Sequence, residues 1–198
     1  MTKRLVDVAA AGMGLLLLAP IFVLIAVVIR LDSAGPAFFR QERVGQAFRR
    51  FRIYKFRTMV WGDRSSRLIT TDGDPRVTRI GSFLRSTKID ELPQLINVLK
   101  GEMSLVGPRP EVPRYVEIFR DDYSEILRVR PGITDLASLK YRDESRFLGC
   151  AATADDVYLT AILPDKIRLA KEYVRRASFS FDLSLVFQTI LRMRARNA

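Results

Sequence analysis

The sequence contains no histidine and a single cysteine, Cys150. The first absence removes a His general base, a Ser-His-Asp triad and a His-ligated zinc site, so acid–base or metal chemistry must fall to carboxylates. The second excludes an internal disulfide and fits a reducing compartment. The Gly-rich fingerprints of the P-loop and Rossmann type are also missing, which disfavours an ordinary nucleotide-binding fold, and no internal repeat is found. What the chain does have is bulk and charge. Its 198 residues, 48% hydrophobic, suffice for one domain with a real core. Its net charge is 33 − 22 = +11, with a pI near 10.3. The partner surface is therefore anionic: nucleic acid, lipid headgroups or phosphorylated substrates.

The run from Val8 to Ile29 is uncharged and strongly apolar. As a helix it measures about 33 Å, enough to cross a hydrocarbon core, so it is read as a membrane segment. A cleaved signal peptide is the competing reading, but the run is long and lacks a persuasive small-x-small site before Arg30. Pro20, preceded by Ala19, removes the hydrogen bond to the Leu16 carbonyl and predicts a kink or break. Lys3 and Arg4 precede the run and Arg30, Arg40 and Arg43 follow it, a flanking pattern that suits two ends returning to one side. A re-entrant helix-break-helix meets both observations; an ordinary spanning helix with a proline kink meets them as well.

Beyond the anchor, Ala37 to Arg43 and Ala47 to Phe56 read as a hairpin around Val44-Gly45-Gln46. Its second arm interleaves aromatics with Arg and leads into Lys55-Phe56-Arg57-Thr58-Met59. Such a face can bind nucleic acid, but directly after a membrane segment it suits anionic lipid better. A turn-rich loop, Trp61 to Arg76, precedes a helix over Arg79 to Thr87, with Ile80, Phe83 and Leu84 on one face. Farther on, Arg114 to Arg128 reads as an amphipathic helix, and Thr153 starts another, with Asp156 in a capping-box pattern, that Pro164 interrupts before Lys166 to Arg176. Phe179 to Met193 has a broad apolar face and a basic end that suit the membrane interface.

Two loops and one acidic pair carry the chemistry. Asp90-Glu91 opens a predicted helix whose apolar side is Leu92, Leu95, Ile96, Val98 and Leu99, with Pro93 in its first turn and Lys100-Gly101 as its stop. Asp90 is then the predicted N-cap, kept ionised by the helix dipole and by Arg85 and Lys88. Taken alone, this is an ordinary capped helix. In Gly107-Pro108-Arg109-Pro110 the two prolines stiffen the backbone around one guanidinium, which could meet a phosphate at low ordering cost or simply be solvated. Arg130-Pro131-Gly132-Ile133-Thr134 repeats the theme.

Four segments in order, Lys55 to Met59, Arg85 through Asp90-Glu91-Leu92-Pro93-Gln94 to Leu99, Met103 to Glu111, and Arg130 to Thr134, resemble the bacterial sugar transferase family of monotopic phosphoglycosyl transferases. Asp135 and Ser138 depart from it, standing where many members have Gly and Gln, and Ala19 stands where some have Ser. The resemblance implies transfer of a sugar 1-phosphate from a nucleotide diphosphate sugar, usually a UDP-sugar, to polyprenyl phosphate. Asp90 would attack the β-phosphorus and release UMP, and Glu91 would assist the acceptor's deprotonation or orientation. It also implies Mg²⁺, with Asp90 as its protein ligand. The clamp for the diphosphate is assigned to Lys55, Arg85 and Arg109, with Arg57, Lys88 and Arg130 in support.

The expected architecture is α+β and mainly helical. It comprises an N-terminal re-entrant membrane helix over 1–31, broken near Pro20, and a catalytic domain over 32–198 with a short hairpin and interfacial amphipathic helices. The domain is expected on the cytoplasmic face of a bacterial inner membrane. The expected partners are the nucleotide-sugar donor, the polyprenyl phosphate acceptor and the lipid bilayer, with no nucleic acid, and a homo-oligomer is left open. Two rivals stand beside this reading. One is a non-enzymatic, membrane-tethered basic protein that binds acidic lipid or nucleic acid. The other is an enzyme that transfers the sugar alone and releases UDP.

Overall fold

A computed structural model describes residues 2–62, 69–71, 73–141, 148 and 153–194, with side chains to 191. Cys150, Arg196 and, in the loop following Trp61, residues 63–68 and 72 lie outside the described residues. The described chain is mainly helical. Helix α1 (Thr2–Asp32) is followed by the hairpin β1 (Phe38–Val44) and β2 (Arg50–Phe56), then α2 (Arg79–Thr87), a 3₁₀ segment (Ile89–Gln94) and α3 (Leu95–Lys100). Next come β3 (Ser104–Val106), α4 (Pro113–Ile118), α5 (Arg120–Ile126), β4 (Gly132–Thr134) and α6 (Leu136–Lys140). The chain closes with α7 (Ala154–Val157), a π-helical turn (Tyr158–Ile162), α8 (Leu163–Arg176) and α9 (Phe179–Arg194).

Helix α1 is about 46 Å long and the helical assignment passes through Ala19-Pro20 without a gap. The break expected there is therefore not an interruption of the helix. Contacts on both sides of the proline hold the turns in line: Gly12 and Gly14 lie against Leu99 and Leu95, and Phe22 meets Phe56 edge-on at 5.1 Å. Ala11 joins one core with Phe51, Ile53, Val98 and Met103, while Phe22 and Ile29 join another with Phe56 and Leu84. The opposite side of α1 exposes Leu16 at 77%, together with Leu17, Val23, Leu24 and Leu31. A continuous apolar face of this kind is unfavourable in water and suits lipid.

Polar contacts fasten both ends of α1 to the same domain. Near its start, Asp7 is buried and accepts hydrogen bonds from Ser104 Oγ at 2.7 Å and from the Leu105 N–H at 3.2 Å. Lys3 Nζ donates to the Val106 carbonyl, Tyr173 and Asp182, and Arg4 donates to the carbonyls of Leu99 and Met103. At its end, the guanidinium of Arg57 donates to the carbonyls of Ile29, Ser33 and Ala34. These carbonyls lie at and just past the C-terminus of α1, where a cation is favoured by the helix dipole.

The antiparallel hairpin runs in register from Phe38 opposite Phe56 to Val44 opposite Arg50. Its loop takes more of the chain than expected, because Ala47 and Phe48 adopt positive φ and fold Gln46–Phe48 into a 3₁₀ turn. A second, parallel pair, β3 with β4, was not legible in strands of three residues. The helix expected over Arg114 to Arg128 is two, divided at Phe119, and Pro164 opens α8 instead of interrupting a helix. The largest core gathers Val112, Tyr115, Val116, Tyr123, Ile126, Tyr158 and Leu163 from α4, α5, the π-turn and α8. Helix α9 buries Leu185 and leaves Phe179, Leu183, Phe187, Ile190 and Leu191 exposed, the face expected of an interfacial helix.

Candidate active site

The acidic pair sits where α2, β2 and the Pro-flanked loop converge. Thr78 caps α2 by accepting the Gly81 N–H at 2.9 Å, and Gly81 presses against the chain after β2. A Cβ at Gly81 would lie 2.0 Å from the Thr58 carbonyl oxygen, so only glycine lets α2 approach this closely. The helix stops at Lys88, whose φ of 62° is left-handed, and the chain restarts at once as the 3₁₀ segment. Asp90 therefore lies inside that tight turn. It is not the N-cap of a long helix, since the turn at Lys88 and the imide of Pro93 divide the expected helix into the 3₁₀ segment and α3.

The position changes the electrostatics of Asp90. It is 6% exposed, and its Oδ1 is buried without a hydrogen-bond partner. Burial pushes its carboxyl above the usual carboxylate value, against the pull of Lys55, Arg85 and Lys88, while the charge of Glu91 adds to the rise. The depressed value expected of a helix cap is thus corrected: the surroundings make Asp90 more basic, and so a better nucleophile when ionised.

Glu91 has the opposite character. Its Oε1 accepts from Lys55 Nζ at 2.7 Å, its Oε2 accepts from Arg109 Nη1 at 3.1 Å, and Arg109 Nη2 completes the fork. Burial opposes its charge, but Arg109 and Lys55 outweigh burial and hold its carboxyl well below the ordinary value. Such a group is a poor proton acceptor at neutral pH, so its part is to orient two cations. Burial pulls the Lys55 ammonium down, with Glu91 acting to keep it charged.

Asn97, fully buried, sets the register of this arrangement. Its Nδ2 donates to the Arg52 carbonyl at 2.8 Å and its Oδ1 accepts the Tyr54 N–H at 3.0 Å, so α3 grips β2 on both sides of Ile53. Lys55, two residues further along β2, is thereby carried to Glu91. A buried Asn within an apolar helix stretch is the signal that could have revealed this role.

The structure gathers Asp90, Glu91, Lys55, Arg85, Lys88 and Arg109, all six named from the sequence. Arg85 Nη1 lies 3.4 Å from Thr58 Oγ1 and its charge acts on Asp90. Two further candidates are placed elsewhere. Arg57 is 3% exposed and spent on the carbonyls that end α1, which removes it from the clamp. Arg130 donates through Nε to the Gly101 carbonyl at 3.0 Å, and it is not among the charges that act most strongly on Asp90 or Glu91. Among the described residues no group of three or more Asp, Glu, Cys or His side chains forms a metal cluster.

The family model described as bacterial sugar transferase matches residues 1–196. The chain belongs to this family. It is 42% identical over 194 residues to the UDP-N-acetylgalactosamine-undecaprenyl-phosphate N-acetylgalactosaminephosphotransferase of Aeromonas hydrophila, covering 95% of this chain and 42% of that protein. It is 38% identical over 192 residues to the UDP-glucose:undecaprenyl-phosphate glucose-1-phosphate transferase of Caulobacter vibrioides, covering 95% of this chain and 68% of that protein. It is also 36% identical to the exopolysaccharide production protein PSS of Rhizobium leguminosarum bv. phaseoli, of which 93% is covered. The chain thus spans about two-fifths of the Aeromonas relative and nearly all of the Rhizobium one. In this bacterial sugar transferase, the part shared with the larger relatives is the part that holds the Asp90-Glu91 site and α1.

Proposed function

We propose that the protein transfers a sugar 1-phosphate from a UDP-sugar to polyprenyl phosphate at a membrane surface, releasing UMP. The observation that carries this reading is Asp90, a buried carboxylate with one unpartnered oxygen, ringed by cations suited to a diphosphate. Both named transferases among the relatives act on a UDP-sugar and undecaprenyl phosphate, which supports the same substrate classes here.

In the first step a carboxylate oxygen of Asp90 forms a bond to the β-phosphorus. The bond from that phosphorus to the bridging oxygen breaks, and the electron pair leaves with UMP. In the second step an oxygen of the lipid phosphate attacks the same phosphorus and the Asp90–phosphorus bond breaks, giving a polyprenyl diphosphosugar and a free carboxylate. Lys55 and Arg109, held by Glu91, offset charge on the phosphoryl oxygens, and Arg85 and Lys88 add to the positive field. Mg²⁺ would neutralise the diphosphate and ease departure of UMP. Asp90, whose Oδ1 is buried without a hydrogen-bond partner, is the residue that would hold it.

The anchor reading rests on α1. A helix that left the domain and crossed the bilayer would carry its far end about 30 Å away. Here Lys3, Arg4 and Asp7 touch the same domain as Ile29 and Asp32. This supports an anchor whose two ends stay on one side, and a soluble nucleotide-sugar donor puts that side, with the domain, at the cytoplasmic face. A tag at Met1 accessible only from outside the cell would refute it.

The test of the reaction is purified protein with Mg²⁺, polyprenyl phosphate and a panel of nucleotide sugars, followed by intact-protein mass spectrometry. UMP release and a phosphosugar adduct absent from Asp90→Asn are expected. UDP release, or full activity in the variant, refutes the mechanism.

A further inference from the structure

Asp135, directly after β4, faces the Pro-flanked loop of the site. In the parallel pair β3/β4, Ser104 lies opposite Gly132 and Val106 opposite Thr134. The Gly107 N–H donates to the Thr134 carbonyl at 3.1 Å, and the Gly132 N–H donates to the Pro108 carbonyl at 2.9 Å. The backbones meet so closely that a Cβ at Gly132 would lie 2.0 Å from Gly107 N. Continued past the strand ends, this register sets Asp135 opposite Gly107, from where its side chain reaches the Arg109 main chain.

Asp135 is 3% exposed and divides its two oxygens between two tasks. Oδ1 accepts the Ser138 N–H at 2.6 Å and caps α6, while Ser138 Oγ accepts the Asp135 N–H at 3.1 Å in return. The Ser138 N–H fixes the carboxylate, and Oδ2 then accepts the Arg109 N–H at 3.2 Å. Beyond Pro110 the loop is held again. Glu111 accepts from Arg43 at 2.9 Å and from the Val112 N–H at 3.0 Å through Oε1, and from Tyr158 at 2.7 Å through Oε2. Arg109 is therefore fixed at its main chain by Asp135 and at its guanidinium by Glu91.

We propose that Asp135 is a positioning residue for phosphoryl transfer, holding the Arg109 main chain so that its guanidinium stays on Glu91 and is directed at the phosphates. The inference rests on the reading of the site as a phosphosugar transferase. It explains what an acidic side chain does at this place: a glycine there would leave α6 without this cap and Arg109 without this acceptor.

The experiment compares wild type, Asp135→Ala and Ser138→Ala, each with Arg109 intact and with Arg109→Ala, using the full chain in detergent. Pro108 and Pro110 carry no N–H, so Arg109 is the one exchanging amide between them, and hydrogen–deuterium exchange there reads a single bond. In Asp135→Ala its exchange is expected to accelerate roughly ten- to a hundredfold, the range for losing a hydrogen bond to a charged group. The kcat for UMP release is expected to fall by a similar factor, with no further loss when Arg109 is already Ala. Ser138→Ala weakens the cap and lowers the melting temperature, but leaves exchange and kcat near wild type. Unchanged exchange in Asp135→Ala overturns the proposal, as does an equal kcat loss in both Arg109 backgrounds. Absence of UMP release from wild type would defeat the transferase reading instead, and the exchange measurement would still decide whether Asp135 holds Arg109.

Discussion

Replacing Glu91 by Gln removes the one negative charge shared by Lys55 and Arg109. At the observed 2.7 Å, an ion pair with an effective dielectric constant near 20 is worth about 6 kcal/mol before desolvation is counted. Desolvation of Glu91 offsets much of that, and removing one partner of a buried pair costs about 3–5 kcal/mol net. The Arg109 side chain is 33% exposed and so partly screened, and Gln keeps one acceptor, which together bring the expected loss to about 2–3 kcal/mol. For a chain of 198 residues this lowers the melting temperature by roughly 5–10 °C.

The sign with pH follows from the depressed Glu91 carboxyl. Its stabilisation is fully present above the ordinary carboxylate value and is lost as pH falls through the lower folded value. The gap between wild type and Glu91→Gln should thus be constant around neutrality and close in acid. Without Glu91, burial and Arg109 act on Lys55 against the charge of Asp90 alone, so the ammonium loses its proton at lower pH and the alkaline limb of kcat/KM moves down. Thermal melts across pH and UMP-release profiles measure both. Lys55→Met placed on Glu91→Gln should recover part of the stability, since it removes the stranded cation. Equal melting temperatures for wild type and Glu91→Gln at neutral pH, or strictly additive losses in the double variant, would refute this account.

Asp90→Asn should be inactive yet more stable than wild type at neutral pH. The raised Asp90 carboxyl means that its ionisation disfavours the fold as pH rises past the ordinary carboxylate value, and the advantage of Asn should vanish in acid; denaturant melts at both pH values check this. Arg57→Met should destabilise by roughly 3 kcal/mol, because it leaves the carbonyls at the end of α1 without their charged donor. The donor KM of the protein that remains folded should match wild type, which steady-state kinetics would show.

The charged constellation is largely legible in the sequence, because phosphate chemistry in a chain without histidine has few residues to draw on. Lys55, Arg85, Asp90, Glu91 and Arg109 meet as expected. What local reading misses lies in long-range geometry. Arg57 has the composition of a phosphate ligand, yet the end of α1 takes it. Asp90 has the spacing of a helix cap, yet a left-handed Lys88 and Pro93 divide that helix and leave the carboxylate buried without its dipole. The β3/β4 pair is too short to show a period, so the meeting of Asp135 with Arg109 could not be foreseen from either loop alone.

The sharing of core between α1 and the domain has a consequence for how the protein is made. Helix α1 is synthesised well before the groups that satisfy its inward side, Ser104, Tyr173 and Asp182. Until then Asp7 and Lys3 lack those partners, so final seating of the anchor is a late event that waits on the C-terminal helices. Deleting residues 1–31 to obtain a water-soluble enzyme would uncover Phe56, Val98 and Met103 and release an aggregating fragment.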